Sequence, residues 1–290
     1  MTYIFAILFC MTSIAVACTG YAVYADETWF GMNFDYPPES EICFNVSEYG
    51  SGLVFDMSFY DGDRDIWIPT VAMNEHGMFS SLQYQCPMIE GEPDPEYDER
   101  YIWELFITSI DDCTSMEQVE AFIDTVKLVN MYELTLHILI ADTSGRAIIA
   151  EAGFDENLIT YIEGNWIVMT NFKIADSRDI SVGKIEGVGA DRYRNALAFL
   201  EDNFDGFVLE DAFGTLEAAV NTDEIWFTKA STIYDPLNRT VYVCIDSDFD
   251  RIWKVSMDNR SIETFYGFDS DRSMQLDDNG ITVKELRLWL

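Results

Sequence analysis

An α+β fold with stacked sheets is what the order of hydrophobic patterns in this sequence predicts. Three observations carry that expectation. Strand-like runs crowd residues 19–60, helical patterns follow over residues 101–126, and strands then return before and after a second helical region at residues 190–220. Strands early and late with helices between them suit sheets packed face to face rather than a parallel βαβ array.

Residues 19–26, 28–35, 40–47 and 52–60 read as strands, rich in aromatic and β-branched side chains. The turn Glu48-Tyr-Gly-Ser51 joins the last two. Tyr101–Ile110 carries apolar residues at helical spacing. A second helix is expected to start at Thr114, whose hydroxyl forms a capping box with Glu117 ahead of Val119, Phe122, Ile123 and Val126. Strands are expected at 133–141, 146–151, 158–162 and 165–170, and helices near 190–203 and 209–220. Strands at 231–235, 239–245 and 251–256 follow. No repeat, low-complexity block or Pro/Gly/Ser linker interrupts the sequence, so residues 18–290 read as one domain.

Charge sets the first functional boundary. Seventeen Lys and Arg stand against 52 Asp and Glu, a formal net charge of -35, and the first basic residue is Arg64. Such a surface repels phosphate backbones and anionic headgroups, which excludes nucleic acid as a partner. Hydrophobic residues at 49% supply a large core.

The N-terminus is more specific. Residues 1–17 are apolar and end in Ala15-Val16-Ala17, the small-x-small pattern of a signal-peptide cleavage site. The expectation is an exported protein whose mature chain starts at Cys18. Two alternatives remain open: a retained anchor, since residues 3–25 are long enough to span a bilayer, and a lipid-modified Cys18. Either would attach the protein to a membrane. With Cys10 lost and Cys18 set aside, Cys43, Cys86, Cys113 and Cys244 permit two disulfides in three connectivities.

Few residues can carry nucleophilic catalysis. His76 sits in a turn-like Asn74-Glu-His-Gly77, and His137 sits in the apolar run LTLHILIAD, where it reads as a satisfied core residue. No HExxH, CxxC pair or glycine-rich phosphate loop occurs, so no metal or cofactor is expected. A chain this poor in histidine needs another base. The α-amine of a new N-terminus, with pKa near 7.7–8.0, can take that role, and cleavage before Cys18 puts amine and thiol on one residue.

The segments Cys18-Thr-Gly-Tyr-Ala22 and Phe30-Gly-Met-Asn-Phe-Asp-Tyr36 resemble the opening of the choloylglycine hydrolase and penicillin V acylase family of N-terminal nucleophile hydrolases. A related acyltransferase branch begins similarly. Further similarities follow in the family's order: Met73-Asn-Glu-His-Gly-Met78 with Ser80-Ser-Leu-Gln83, Ile140–Arg146 ending in Glu151, Val168-Met-Thr-Asn171, Asp191-Arg-Tyr193, and Ser231–Pro236 with Thr240–Val243. The resemblance covers roughly residues 18–245.

It implies a four-layer α-β-β-α sandwich of two antiparallel sheets, and an amidohydrolase acting on linear amides through a thioester on Cys18. The substrates it implies are N-acyl amines, conjugated bile acids or penicillin V-like compounds, with acyl transfer to an amine or a binding protein on the same fold as alternatives. The roles it implies are Cys18 as nucleophile and base, Asp35 beside the amine, Asn171 as oxyanion donor, Gln83 (or Tyr84, one register on) as a second donor, and Arg192 as the cation near the thiol. Met32 stands where the family has arginine, which implies altered electrostatics at the site and either a longer, more apolar pocket or reduced activity. The partner expected is a small N-acyl amide, and homo-oligomerisation stays open.

Overall fold

The computed structural model describes residues 18–37, 39–50, 52–89, 91, 95–131 and 134–290. The expected signal peptide, residues 1–17, lies outside them. The chain opens with the hairpin β1 (Cys18–Tyr24) and β2 (Thr28–Asp35). A meander follows: β3 (Ile42–Tyr49), β4 (Gly52–Asp61), β5 (Ile66–Asn74) and β6 (Phe79–Tyr84). Next come β7 (Glu99–Tyr101), α1 (Ile102–Asp111), α2 (Met116–Ile123) and β8 (Lys127–Val129), with β7 and β8 paired in parallel. Strands β9 (Leu136–Ala141), β10 (Ala147–Ala152) and β11 (Asn157–Tyr161) rejoin the meander, and β12 (Trp166–Met169) crosses to the hairpin. Helices α3 (Ala190–Asn203) and α4 (Leu209–Ala218) precede β13 (Thr228–Asp235), β14 (Thr240–Ile245), β15 (Ile252–Ser256), β16 (Ser261–Tyr266) and β17 (Ser273–Gln275). The chain ends with β18 (Ile281–Thr282) and α5 (Val283–Leu286), then a short 3-10 turn, Arg287–Trp289.

Two eight-stranded sheets result. One runs β12-β1-β2-β13-β14-β15-β16-β17 and the other β11-β10-β9-β6-β5-β4-β3-β18, each antiparallel throughout. Three apolar clusters fill three interfaces, and that sorting defines four layers. Phe30, Phe34, Phe55, Met73, Phe79 and Tyr234 meet between the sheets. Leu105, Phe106 and Val119 of α1 and α2 pack on Ile138, Ile140 and Ile148, which face outward from the second sheet. Leu200, Phe213 and Leu216 of α3 and α4 cover Tyr21, Val23 and Ile233 of the first. Burying each such side chain contributes about 1.5–3 kcal/mol relative to exposure. The expected α-β-β-α sandwich is therefore the fold observed.

Three local expectations need correction. The run Ile66–Asn74, not among the strands expected, forms β5; Pro69 sits where the register with β4 shifts, a bulge that tolerates a missing N–H. The capping box at Thr114 does not form. Helix α2 starts one residue later, with Ser115 as N-cap, while Gln118 Oε1 accepts from the Thr114 amide and hydroxyl. Its first N–H, on Met116, is taken by Asp142 Oδ2 from the β9–β10 turn at 2.8 Å. Finally, Cys43, Cys86, Cys113 and Cys244 are free thiols, so neither disulfide forms.

Candidate active site

Strand direction assembles the site. In the first sheet β1 pairs antiparallel with both β2 and β12, and β2 pairs antiparallel with β13. The start of β1, the end of β2, the start of β13 and the end of β12 therefore share one sheet end. Cys18 opposes Phe34, Asp35 opposes Thr228, and the Gly20–Met169 pairing continued two residues brings Asn171 opposite Cys18. From the second sheet, the end of β6 supplies Gln83 and Tyr84. From the outer layer, the first turn of α3 supplies Arg192.

Arg192 ties these pieces together. Its guanidinium is buried and donates to the Cys18 carbonyl at 2.6 Å, Thr19 Oγ1 at 3.0 Å, Asp35 Oδ2 at 3.3 Å and Asn171 Oδ1 at 2.8 Å. A flat fork with five donors is suited to four acceptors spread in this way; a lysine ammonium is not. The approach requires Gly189, which precedes α3 at φ +80°: a Cβ there would stand 2.5 Å from Arg192 Nη2. Thr170 Oγ1 holds the same turn by donating to the Gly189 carbonyl at 3.1 Å.

The Cys18 backbone nitrogen donates to Asn171 Oδ1 at 2.8 Å. Asn171 thus presents its oxygen to Cys18 and Arg192, while its Nδ2 donates to the Tyr84 carbonyl at 2.8 Å. The resemblance had this amide donating to an oxyanion; here one of its two N–H bonds is committed to Tyr84. Glu151 fixes the segment beyond Asn171 by accepting the amides of Ile174 (2.8 Å) and Ala175 (2.7 Å). His137 lies 3.4 Å from Glu151 through Nδ1, but its Nε2 is buried with no partner, so this core histidine is only half satisfied. His76 sits in the Asn74–Met78 turn, where its amide donates to Asn74 Oδ1.

Burial dominates the electrostatics. It pushes the Cys18 thiol up to about 12; the Asp35 carboxylate adds to the rise, and the Asp35 backbone N–H and the Arg192 guanidinium oppose it. Burial likewise pushes the Asp35 carboxyl up to about 7, against the pull of Arg192 and of the Thr228 hydroxyl, which donates to Asp35 Oδ1 at 2.5 Å. An enclosed site of this kind penalises any lone charge and favours charges that form in pairs.

Gln83 lies across the sheet interface against Gly20. Its Nε2 donates to Ser81 Oγ at 3.2 Å, and Ser81 Oγ contacts Met32 Sδ at 3.2 Å. Tyr84 is paired with Tyr36 through their hydroxyls. Tyr36, Gln83 and Tyr84 together form the inner wall of a cavity of about 860 Å³. Met32 is fully buried in the cluster between the sheets and is not among the residues that line the cavity.

The structure brings all five expected residues, Cys18, Asp35, Gln83, Asn171 and Arg192, to one end of the sandwich. Sequence reasoning missed Thr19, Tyr36 and Thr228. Tyr36 follows Asp35 directly in the quoted motif, a signal that was present; nothing local marks Thr228. Among the described residues no group of three or more His, Cys, Asp or Glu is placed to hold a metal, and no helix is long and apolar enough to cross a membrane.

Known proteins share this fold. Residues 57–174, less than half the chain, match the model of the linear amide C–N hydrolases, choloylglycine hydrolase family. No curated protein matches in sequence. A cysteine-to-alanine mutant of conjugated bile acid hydrolase from Clostridium perfringens superposes with TM-score 0.62 at 15% identity, over 90% of this chain and 98% of its own. An arginine-to-leucine variant of the same enzyme gives 0.64 at 14% identity, over 91% and 98%. Penicillin V acylase from Agrobacterium tumefaciens gives 0.57 at 15%, over 91% and 93%. Residues 57–174 are thus similar to the linear amide C–N hydrolases of the choloylglycine hydrolase family, and over nine-tenths of its length the chain shares the fold of conjugated bile acid hydrolase and penicillin V acylase.

Proposed function

We propose that the chain hydrolyses linear amides of N-acyl amines, with Cys18 as nucleophile once residues 1–17 are removed. The observation that carries this reading is the grip on Cys18 itself: Asn171 on its nitrogen and Arg192 on its carbonyl, with the Asp35 carboxyl bonded to the same guanidinium. A core cysteine needs no such set of partners.

In the proposed reaction the freed α-amine takes the thiol proton, so that ammonium and thiolate form together and neither stands alone in the buried site. Asp35 and Asn171 Oδ1 stabilise the ammonium. The thiolate attacks the substrate carbonyl, and the second N–H of Asn171 faces the developing oxyanion. One such donor is worth roughly 3–4 kcal/mol of barrier. The ammonium returns its proton to the leaving amine, the acyl group remains on Sγ as a thioester, and water releases it by the same steps. A conjugated bile acid, a phenoxyacyl β-lactam or another N-acyl amine is a candidate substrate; an acceptor amine that outcompetes water would turn the enzyme into a transferase.

Mass spectrometry of the mature protein together with turnover of N-acyl amides tests this. A chain starting at a free Cys18 is expected to be active, Cys18→Ala inactive, and Cys18→Ser reduced to a trace because its hydroxyl ionises far less. Full activity in a chain that still carries Met1 sinks the mechanism, since a peptide nitrogen is no base. A diacylglyceryl group on Cys18 would instead make the protein a lipid-anchored binder.

A further inference from the structure

The cavity that Tyr36, Gln83 and Tyr84 help to line carries a charge pattern that bond cleavage does not use. Its floor is apolar, with Phe59 and Trp103 in the lining. Its charged lining residues are Glu39, Asp61, Asp63 and Arg64. Arg64 is engaged with Asp61 at 2.5 Å, so three carboxylates face one guanidinium that is already paired. In a chain of net charge -35 no long-range positive field offsets this excess. Glu39, Asp63 and Arg64 are exposed, and a net acidic excess of this kind along a cleft concentrates cationic ligands and repels anionic ones in a salt-dependent way.

A second observation concerns hydrogen bonding. Gln83 lines the same cavity at 1% exposure, and its Oε1 is buried with no partner in the protein. A buried acceptor left unpaired is costly, so a ligand that brings a donor is favoured over one that brings an acceptor. The acidic lining and the open acceptor favour the same ligands.

We propose that the cavity selects neutral or cationic N-acyl amides and rejects anionic ones, with Gln83 Oε1 accepting an N–H of the bound amide. This selectivity rests on the amidohydrolase reading above.

Two substrate series test it on the mature enzyme. The first holds a phenoxyacetyl group constant and varies the amine: taurine, ethanolamine or putrescine. The second holds ethanolamine constant and varies the acyl end: glutaric, pentanoic or 5-aminopentanoic acid. In at least one series kcat/KM for the anionic member is expected at least about tenfold below the cationic one, with the gap narrowing as salt shortens the Debye length. The double variant Glu39→Gln, Asp63→Asn is expected to narrow it too. Equal kcat/KM within both series, or a gap that neither salt nor the double variant moves, overturns the inference. Hydrolysis of none of the six sinks the amidohydrolase reading instead; calorimetric binding of the same amides to Cys18→Ala then decides charge selectivity separately, a flat response counting against it.

Discussion

Asp35 is a carboxyl whose ionisation is set by burial against one guanidinium and one hydroxyl. Its value of about 7 is reached because burial outweighs the Arg192 guanidinium and the Thr228 donor. The reaction as proposed needs this carboxylate charged, so kcat/KM should rise as pH climbs through about 7. Thr228→Val removes a hydrogen bond to the charged form, worth about 1.5–3 kcal/mol. At 1.36 kcal/mol per unit, the acid limb of the profile should move upward by about 1–2 pH units. A pH–rate profile of both enzymes checks it, and an unmoved midpoint would mean that another group limits the rate. The stability sign is opposite. A folded value above the unfolded one means that Asp35 contributes fully below about 4 and loses that contribution as pH rises through about 7. Thr228 also marks where sequence reading ran out at this scale. Cys18, Asp35, Asn171 and Arg192 were legible because each sits in a short motif; Thr228 reaches Asp35 across 193 positions of sequence, and no local pattern in Phe-Thr-Lys announces that pairing.

At the level of elements, legibility followed how local the cause was. Strand β2 was read at its observed bounds because its eight residues repeat one pattern, and α3 because its apolar residues recur at helical spacing. Strand β5 went unassigned; it carries Pro69 beside an extra residue of its own, Thr70, and that bulge is defined only by the register with β4. The start of α2 was misplaced because its cap comes from Asp142, 26 residues away. The turn into α3 gives a prediction at this scale. Gly189→Ala meets two obstacles, a left-handed φ and the Arg192 fork; Gly145, at φ +91° with nothing within 4 Å of its Cβ position, meets only the first. Both alanine variants should lose about 1–2 kcal/mol of stability to backbone strain. Only Gly189→Ala should also lose turnover, by on the order of 10²-fold, since a displacement of about 1 Å at a reacting centre is that costly. Thermal melts beside kcat for the pair separate strain from positioning, and equal kcat in both would remove Gly189 from the site's support.

For the molecule as a whole, a net charge of -35 opposes compaction at every exposed carboxylate. Monovalent salt should therefore raise Tm steadily as the Debye length falls from about 30 Å at 0.01 M to 3 Å at 1 M. Turnover of a neutral amide should change little over that range, and a Tm independent of salt would show that the repulsion is already relieved by local pairing. The overall architecture was legible as layers but not as a strand order, because the sequence states which residues are apolar and leaves open which strands become neighbours. That order has a consequence in time. Cys18 depends on partners at Asn171, Arg192 and, through Asp35, Thr228, the last of which is synthesised roughly 10–40 s after Cys18 at about 5–20 residues per second. If the leader departs as the chain is exported, thiol and amine wait through that interval side by side and uncovered. An N-terminal cysteine in that state condenses with aldehydes and oxidises readily, so a cell making this protein has a brief window in which the yield of competent enzyme is decided, before the sandwich closes over its own first residue.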